Sequence, residues 1–418
     1  MIVDLHSHFP MHLDAERDGV LPGGKSHSRT LEAIRGLRKG ARSFGEWLRA
    51  FILDIASRIG NYRRWDAGPA VTVDKLIKGR VGAALSVLYQ PFCEMDLGHF
   101  GAAPEPTYFG QLLVQLNRVE DEVRQKHKTR AIVAHNPREL SQAIEGKMLA
   151  IVHAVEGGFH VGAEPLTVAR NVHTLAQYGV AYITAAHLFW RQVASNVPAL
   201  PFLPDMWYRR LFPEPDTGLT DIGAALIDAM AHERILVDVT HMTELAMCDT
   251  FDRLPPDVPV IASHMACRFG GYAYNLTDRV VRKIVRRGGV LGVILCDHFC
   301  NEGRARTKRL EQSVDAVCRQ IDHIYTVAGS HDHAAIGTDL DGFIKPTLAG
   351  LDDASQLYLL EDALVSRYGA VTAEKICSGN ALRLLRSYWR GGKGSSHVMP
   401  TPKGSARTPY RPHKRKAP

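Results

Sequence analysis

The chain has 418 residues, 45% of them hydrophobic and 23% charged, which is typical of a globular protein and excludes a fibrous or wholly disordered one. Its first residues lack a basic segment followed by an apolar core, and no run approaches the roughly 18 apolar residues of a membrane span, so we expect a cytoplasmic protein without a membrane segment. The net charge of +7 is accounted for by positions 391–418, which contain seven Lys and Arg residues and no Asp or Glu. Residues 1–390 are therefore neutral overall, and their charge does not indicate nucleic-acid binding.

Apolar, β-branched runs alternate with helical segments, which is typical of parallel strands joined by crossover helices. The predicted strands are residues 2–5, 83–88, 149–155, 181–185, 235–239, 258–262, 290–295 and 334–336. Helices are predicted over residues 165–178, 221–232, 278–287, 310–328 and 373–389. Eight strands in this order predict an α/β fold, a single (β/α)8 TIM barrel over residues 1–390.

Two insertions and a tail are expected around this barrel. Residues 23–74 and 196–217 exceed the length of ordinary barrel loops, and such loops commonly form lids or interfaces. Residues 391–418 are rich in Gly, Ser and Pro and are predicted to be a basic disordered tail. The seven cysteines form no Cys-x-x-Cys pair, so neither a disulfide framework nor a thiolate zinc site is expected.

Histidines and carboxylates follow the predicted strands, at the end where TIM-barrel enzymes carry their catalytic side chains. The first strand leads into His6 and His8, which share a face because residues two apart in a strand point the same way. Later strand ends supply Glu156, His187, His241, His264 and Asp339. Seven such residues at six strand ends predict a binuclear metal site.

The mixture of donors suits two divalent ions, with zinc expected. A carboxylate such as Glu156 can bridge two cations, and imidazoles supply nitrogen ligands suited to zinc. Asp339 would accept the proton of an activated water and return it to the leaving group, while His187 would hold the scissile carbonyl. Taken singly, His264 could equally be a buried structural histidine.

Several nearby polar residues are assigned to other roles. His153 lies three residues before Glu156 and faces the opposite side of its strand, so we assign it to packing. His331 and His333 precede the last strand and are assigned to the opposite, stability face of the barrel. Asp341 is expected to support Asp339.

The segments VDLHSHFP, VEGG, GVAYITAAHLFWRQVASN, LVDVTHMTE, PVIASHMACR and AAIGTDLDGF resemble, in this order, the membrane (renal-type) dipeptidase family of the amidohydrolase superfamily. The resemblance spans Met1 to about Trp389. It implies hydrolysis of a dipeptide's amide bond by a metal-bridged hydroxide. It also implies one zinc ion on His6, position 8, Glu156 and Asp339, a second on Glu156, His241 and His264, and contact of His187 with the tetrahedral intermediate.

Three positions depart from the family pattern. His8 replaces an Asp, which removes a negative charge beside two cations and should weaken or alter the first metal site. Tyr274 stands at the position of the substrate-carboxylate arginine, so Arg268 is the candidate to bind that carboxylate. Phe299 replaces an active-site tyrosine.

The sequence thus predicts a zinc-dependent dipeptidase acting on a small dipeptide-like substrate. Tyr274 and His8 leave open another substrate, such as an N-acyl amino acid, a lactone or a phosphoester. An alternative of another class is a non-catalytic protein that binds a partner through the barrel and the basic tail. That alternative predicts that the protein holds no metal. It also predicts that partner binding weakens as salt is added and is lost when residues 391–418 are removed. The sequence does not decide the oligomeric state, and a homodimer remains open.

Overall fold

The computed structural model describes residues 1–11, 69–94, 101–201, 203–342 and 346–393, together with positions 13, 44, 47, 48 and 51. Most of the insertion predicted at residues 23–74, and the predicted tail after residue 393, lie outside the described residues. The described helices include none with the length and apolar character needed to span a membrane.

Parallel strands form the centre of the described fold. They are β1 (Ile2–Ser7), β2 (Val81–Leu88), β3 (Ala131–Val133), β4 (Leu149–Glu156), β5 (Tyr182–Thr184), β6 (Leu236–Asp238), β7 (Val260–Met265), β8 (Leu291–Val293) and β9 (Ala334–Ile336). Eight of them close into a ring in the order β1, β2, β4, β5, β6, β7, β8, β9, with β9 paired back to β1. This ring confirms the predicted (β/α)8 barrel.

Strand β3 is an addition that the sequence did not predict. It pairs with the amino-terminal half of β4, from Ala131 opposite Leu149 to Val133 opposite Ile151. The carboxyl-terminal end of β4 pairs instead with β5, where Glu156 lies opposite Thr184. β3 therefore widens the wall of the barrel without entering the ring.

Helices surround the barrel, and several begin at side-chain caps. Their bounds are Val73–Lys78, Pro91–Glu94, Thr107–Lys126, Pro137–Glu145, Pro165–Gln177, Asp205–Leu211, Asp221–Glu233, Glu244–Arg253, Asp278–Arg286, Asp297–Cys300, Leu310–Ala328, Leu357–Tyr368, Ala370–Glu374 and Asn380–Ser387. Thr220, Thr243 and Thr277 precede three of these helices, and each hydroxyl accepts from a backbone N–H of the first turn. Four predicted helices match within two residues, and the fifth is interrupted by a π-helical turn, Lys375–Gly379.

Close contact between strands depends on two glycines. A Cβ atom at Gly292 or Gly337 would lie 1.9 or 1.8 Å from the backbone oxygen of Ser263 in β7. Since real side chains do not tolerate such a distance, both positions need glycine for β7 to pack as it does. Ser263 immediately precedes His264, and a Cβ atom at Gly337 would also lie 3.3 Å from the His264 Cα.

We expect Gly337→Ala to lower the free energy of unfolding by about 3 kcal/mol, because the added methyl group must displace backbone in a packed wall. Urea denaturation would measure the change. Gly110→Ala is the matched control: it lies in the helix Thr107–Lys126, its added Cβ meets nothing within 4 Å, and it should stabilise by about 0.5–1 kcal/mol. A Gly337→Ala protein as stable as the parent would contradict this account of the wall.

Candidate active site

The structure brings the seven predicted site residues together at the carboxyl ends of the strands. The Nε2 atoms of five imidazoles surround the Glu156 carboxylate: His6 at 3.4 Å, His8 at 3.3 Å, His187 at 3.2 Å, His241 at 3.4 Å and His264 at 3.4 Å. Asp339 Oδ1 lies 3.1 Å from His8 Nε2 and 3.7 Å from His6 Nε2. All seven side chains are buried.

The donor atoms fit a pair of cations. Both oxygens of Glu156 are buried without a hydrogen-bond donor among the described residues, and a buried carboxylate needs compensating charge. The Nε2 atoms of His6 and His8 lie 3.3 Å apart, and those of His241 and His264 lie 3.1 Å apart. Two nitrogens bound to one tetrahedral zinc ion are about 3.3 Å apart. Each histidine pair therefore fits one ion, with Glu156 between them.

Hydroxyl groups behind the imidazoles orient two of the rings. The Tyr182 hydroxyl donates to the carbonyl oxygen that precedes His6 and therefore accepts from His6 Nδ1, at 2.7 Å. The Ser263 hydroxyl donates to Asp238 at 2.6 Å and accepts from His264 Nδ1 at 2.8 Å. With the proton on Nδ1 in both rings, each Nε2 presents its lone pair to the centre of the site.

Two buried aspartates connect neighbouring strand ends, and the sequence analysis missed both. Asp238 accepts from the backbone and hydroxyl of Ser263 and from the Thr184 hydroxyl, which joins β5, β6 and β7. Asp4 accepts from the backbone and hydroxyl of Thr338, which joins β1 to the end of β9. Burial raises the pKa of Asp4 to about 6, while these hydrogen bonds oppose the rise. The available signal was an acidic residue inside an otherwise apolar strand.

Glu94 is a further site residue that sequence reasoning did not find. Its Oε2 atom lies 2.6 Å from His187 Nδ1 and accepts from the Tyr89 hydroxyl at 2.7 Å. Its Oε1 atom accepts from the backbone of Phe189 at 2.8 Å. Burial alone would lower the pKa of His187, but the carboxylates of Glu156 and Glu94 raise it to about 9. Glu94 therefore holds His187 in a fixed orientation beside Glu156.

Backbone strain is concentrated at the same strand ends. His241, Asp339 and Asp341 have φ values of 69°, 55° and 63°, in the left-handed region that residues other than glycine seldom adopt. The carboxylate of Asp341 accepts from the backbone N–H groups of Ala70 and Val71, at 3.0 and 2.8 Å. The turn that presents Asp339 is thereby tied to the segment before the helix Val73–Lys78.

A small cavity opens onto several of the predicted site residues. Besides His8, His187, His241 and Asp339, it is lined by Leu188, Ala199, Tyr274, Ile294 and Phe299. The rings of Tyr274 and Phe299 stack with their centroids 4.2 Å apart, and the Tyr274 hydroxyl donates to the carbonyl of His264. Among the described residues, no lysine or arginine lines this cavity.

Arg268 lies outside the cavity lining. Its guanidinium donates to the carbonyl oxygens of Asn275 and Ala273, at 2.9 and 2.8 Å. These bonds hold the loop that carries Tyr274. The position of Arg268 supports a role in loop structure, and it gives no support to the predicted contact with a substrate carboxylate.

The histidines assigned elsewhere by the sequence also lie away from the site. His153 faces Glu120 of the helix Thr107–Lys126, at 3.0 Å. His333 Nδ1 contacts the backbone oxygen of Gly289 at 2.7 Å, and His331 stacks on Tyr325.

We expect Glu94→Gln to reduce kcat/KM by about 10- to 100-fold, because the charge that orients His187 is lost while the residues that would bind metal remain. Steady-state kinetics combined with metal analysis would measure both properties. Glu105→Gln, at an exposed position just before the helix Thr107–Lys126, is the control and should behave as the parent. Parental kinetics for Glu94→Gln would show that His187 does not depend on this contact.

Comparison with known proteins assigns the sequence to a family. The sequence profile of the membrane dipeptidases, peptidase family M19, matches residues 53–390. An uncharacterized protein in the pqqA 5′ region of Klebsiella pneumoniae is 28% identical over 60% of this chain and 87% of its own length. Dipeptidase tcpJ of Claviceps purpurea is 24% identical over 77% of this chain and 70% of its own length.

A solved structure shows the same fold. It is a metallopeptidase from Rhodobacter sphaeroides liganded with a phosphinate mimic of the dipeptide L-Ala-D-Ala. The two chains superpose with a TM-score of 0.65 and 19% identity, over 93% of this chain and 99% of the other. Since the family profile matches most of the sequence, the chain belongs to the membrane dipeptidase family, peptidase family M19, and is a metal-dependent hydrolase.

Proposed function

We propose that the protein hydrolyses the amide bond of dipeptides, or of closely related small amides, with two zinc ions as cofactors. The observation that carries the proposal is the Glu156 carboxylate, which lies within 3.4 Å of five imidazole Nε2 atoms. Family membership supports the peptide substrate.

Each side chain has a defined role in this reaction. His6 and His8 would hold one ion and His241 and His264 the other, with Glu156 shared between them. Bound zinc ions would polarise the substrate carbonyl and make a water molecule more acidic. The Asp339 carboxylate can take the proton from that water and transfer it to the leaving amine. The ring of His187, held by Glu94, can donate to the oxygen that gains negative charge.

His8 changes the charge balance at the first ion. Its Nε2 lies 3.3 Å from Glu156 and 3.1 Å from Asp339. These distances support an imidazole ligand at a position where the family usually has a carboxylate. The carboxylates that face the two cations are then Glu156 and Asp339. A less negative site binds divalent ions less tightly, so we propose that the first ion is the more easily removed.

The apolar wall of the cavity favours a second candidate substrate. Tyr274, Phe299 and Ile294 offer stacking and apolar contact but no charge for a free carboxylate. An amide or lactone whose leaving half is apolar and uncharged would fit this wall better than a free dipeptide. Burying an unpaired carboxylate against such a wall would cost free energy.

Metal removal tests the main proposal. Dialysis against a chelator should abolish hydrolysis of a dipeptide panel, and added zinc should restore it, because Glu156 and its imidazoles then regain their ions. Glu156→Gln should be as inactive as the chelated enzyme even with zinc present. Exposed Glu145→Gln is the control and should keep parental activity. Hydrolysis that survives full metal removal would refute the proposal.

A dipeptide and the matching dipeptide amide, tested side by side, distinguish the two candidate substrate classes. We expect the wild-type enzyme to hydrolyse a dipeptide amide with a higher kcat/KM than the same dipeptide as a free acid. Tyr274→Arg should raise kcat/KM for the free acid about 10-fold, since a charge-assisted hydrogen bond contributes roughly 1.5–3 kcal/mol. Tyr274→Phe keeps the ring and should keep the wild-type preference. A wild-type preference for the free acid would exclude the second candidate and leave the first.

A further inference from the structure

A second group of potential metal ligands lies outside the active site, between the barrel wall and the helix Thr107–Lys126. We call Glu120, His135 and His153 the outer cluster. Glu120 belongs to that helix, His135 follows β3, and His153 lies in β4. Glu120 Oε1 is 2.7 Å from His135 Nε2 and 3.0 Å from His153 Nε2. The His153 side chain is fully buried, and the side chains of His135 and Glu120 are 7% and 17% exposed.

The outer cluster needs positive charge between its facing atoms. His135 Nδ1 lies 3.0 Å from Glu139 Oε2, the same oxygen that accepts from the His135 backbone. A neutral imidazole carries one N–H, so a ring that donates to Glu139 presents a lone pair to Glu120. Either a second proton or a metal ion must then lie between His135 Nε2 and the Glu120 carboxylate. A carboxylate behind a metal-bound imidazole is a common arrangement in metal sites.

We propose that the outer cluster is a second, non-catalytic site for a zinc-like divalent cation, bound by Glu120, His135 Nε2 and His153 Nε2. One ligand atom from each residue lies within 4.8 Å of the others. Two imidazoles and a carboxylate are a donor set that zinc uses, with water in the fourth position. Glu120 is partly exposed, so solvent can reach that position. The site joins residues from three elements of the fold.

The site would fasten the outer wall to the barrel. β3 has only three residues, and a cation held by His135 and His153 would clamp the end of β3 onto β4. The helix Thr107–Lys126, which carries Glu120, also carries Gln115. The Gln115 side chain contacts the backbone N–H and carbonyl of Tyr89, at 2.7 and 3.1 Å. Tyr89 in turn contacts Glu94. We therefore expect the bound cation to stabilise the wall behind His187.

Anomalous diffraction at the zinc edge tests the site in the wild-type protein. Crystals of protein that has been dialysed against buffer containing zinc should show an anomalous peak about 2.1 Å from the ligand atoms of the outer cluster. The active site should show its own peaks in the same crystals. The active-site peaks act as an internal control for metal loading. Peaks at the active site alone would overturn the inference and leave the outer cluster as a protonated, hydrogen-bonded group.

Metal content in matched variants tests it independently. Glu120→Gln should hold one zinc equivalent fewer than the wild type after dialysis against buffered zinc. Glu122→Gln is the control, because Glu122 lies on the same helix but contacts Lys126 and His127 instead. His135→Gln leaves the buried His153 in place and should also hold one zinc equivalent fewer than the wild type. This variant replaces Glu120→Gln in the experiment if Glu120→Gln does not fold. Equal zinc content in folded wild-type and ligand-variant proteins would overturn the inference.

Discussion

A buried carboxylate surrounded by imidazole nitrogens is the interaction on which the rest of this structure depends. Glu156 is 1% exposed, and the ring nitrogens nearest to it come from the ends of β1 and β7 and from the turns after β1, β5 and β6. A negative charge in such a place is stable only when positive charge lies beside it. Closure of the barrel satisfies this condition, because the carboxyl ends of all its parallel strands meet at one rim.

The groups behind the imidazoles explain how the rim keeps its shape. Asp4 and Asp238 bind backbone N–H and hydroxyl groups of neighbouring strands, while Tyr182 fixes the ring of His6. These hydrogen bonds are buried, so breaking one leaves an unsatisfied polar group and costs about 1–3 kcal/mol. Such a frame also holds His241 and Asp339 in their left-handed backbone conformations.

Two substitutions at the rim connect the family's chemistry to this chain's own properties. His8 places an imidazole where the family pattern described in the sequence analysis has an acid, and Tyr274 places a phenol ring where that pattern has a guanidinium. In the proposed reaction one change would act on the ions and the other on the substrate. In the proposed reaction they would leave the catalytic groups in place while altering the charge on both sides of the reacting bond.

The sequence by itself predicted the barrel and the seven His and acidic residues that meet at its rim. Apolar runs followed by His or Glu are local patterns, and parallel strand ends must share a rim, so residues far apart in the chain could be placed together. β3 was missed because the three residues of Ala131–Val133 are too few to show a period. Only the tertiary structure could show that Glu94 holds His187, that Arg268 turns to its own loop, and that Glu120 meets His135 and His153. Those contacts depend on how separate elements pack against each other, and a short stretch of sequence does not determine the distance between two packed surfaces.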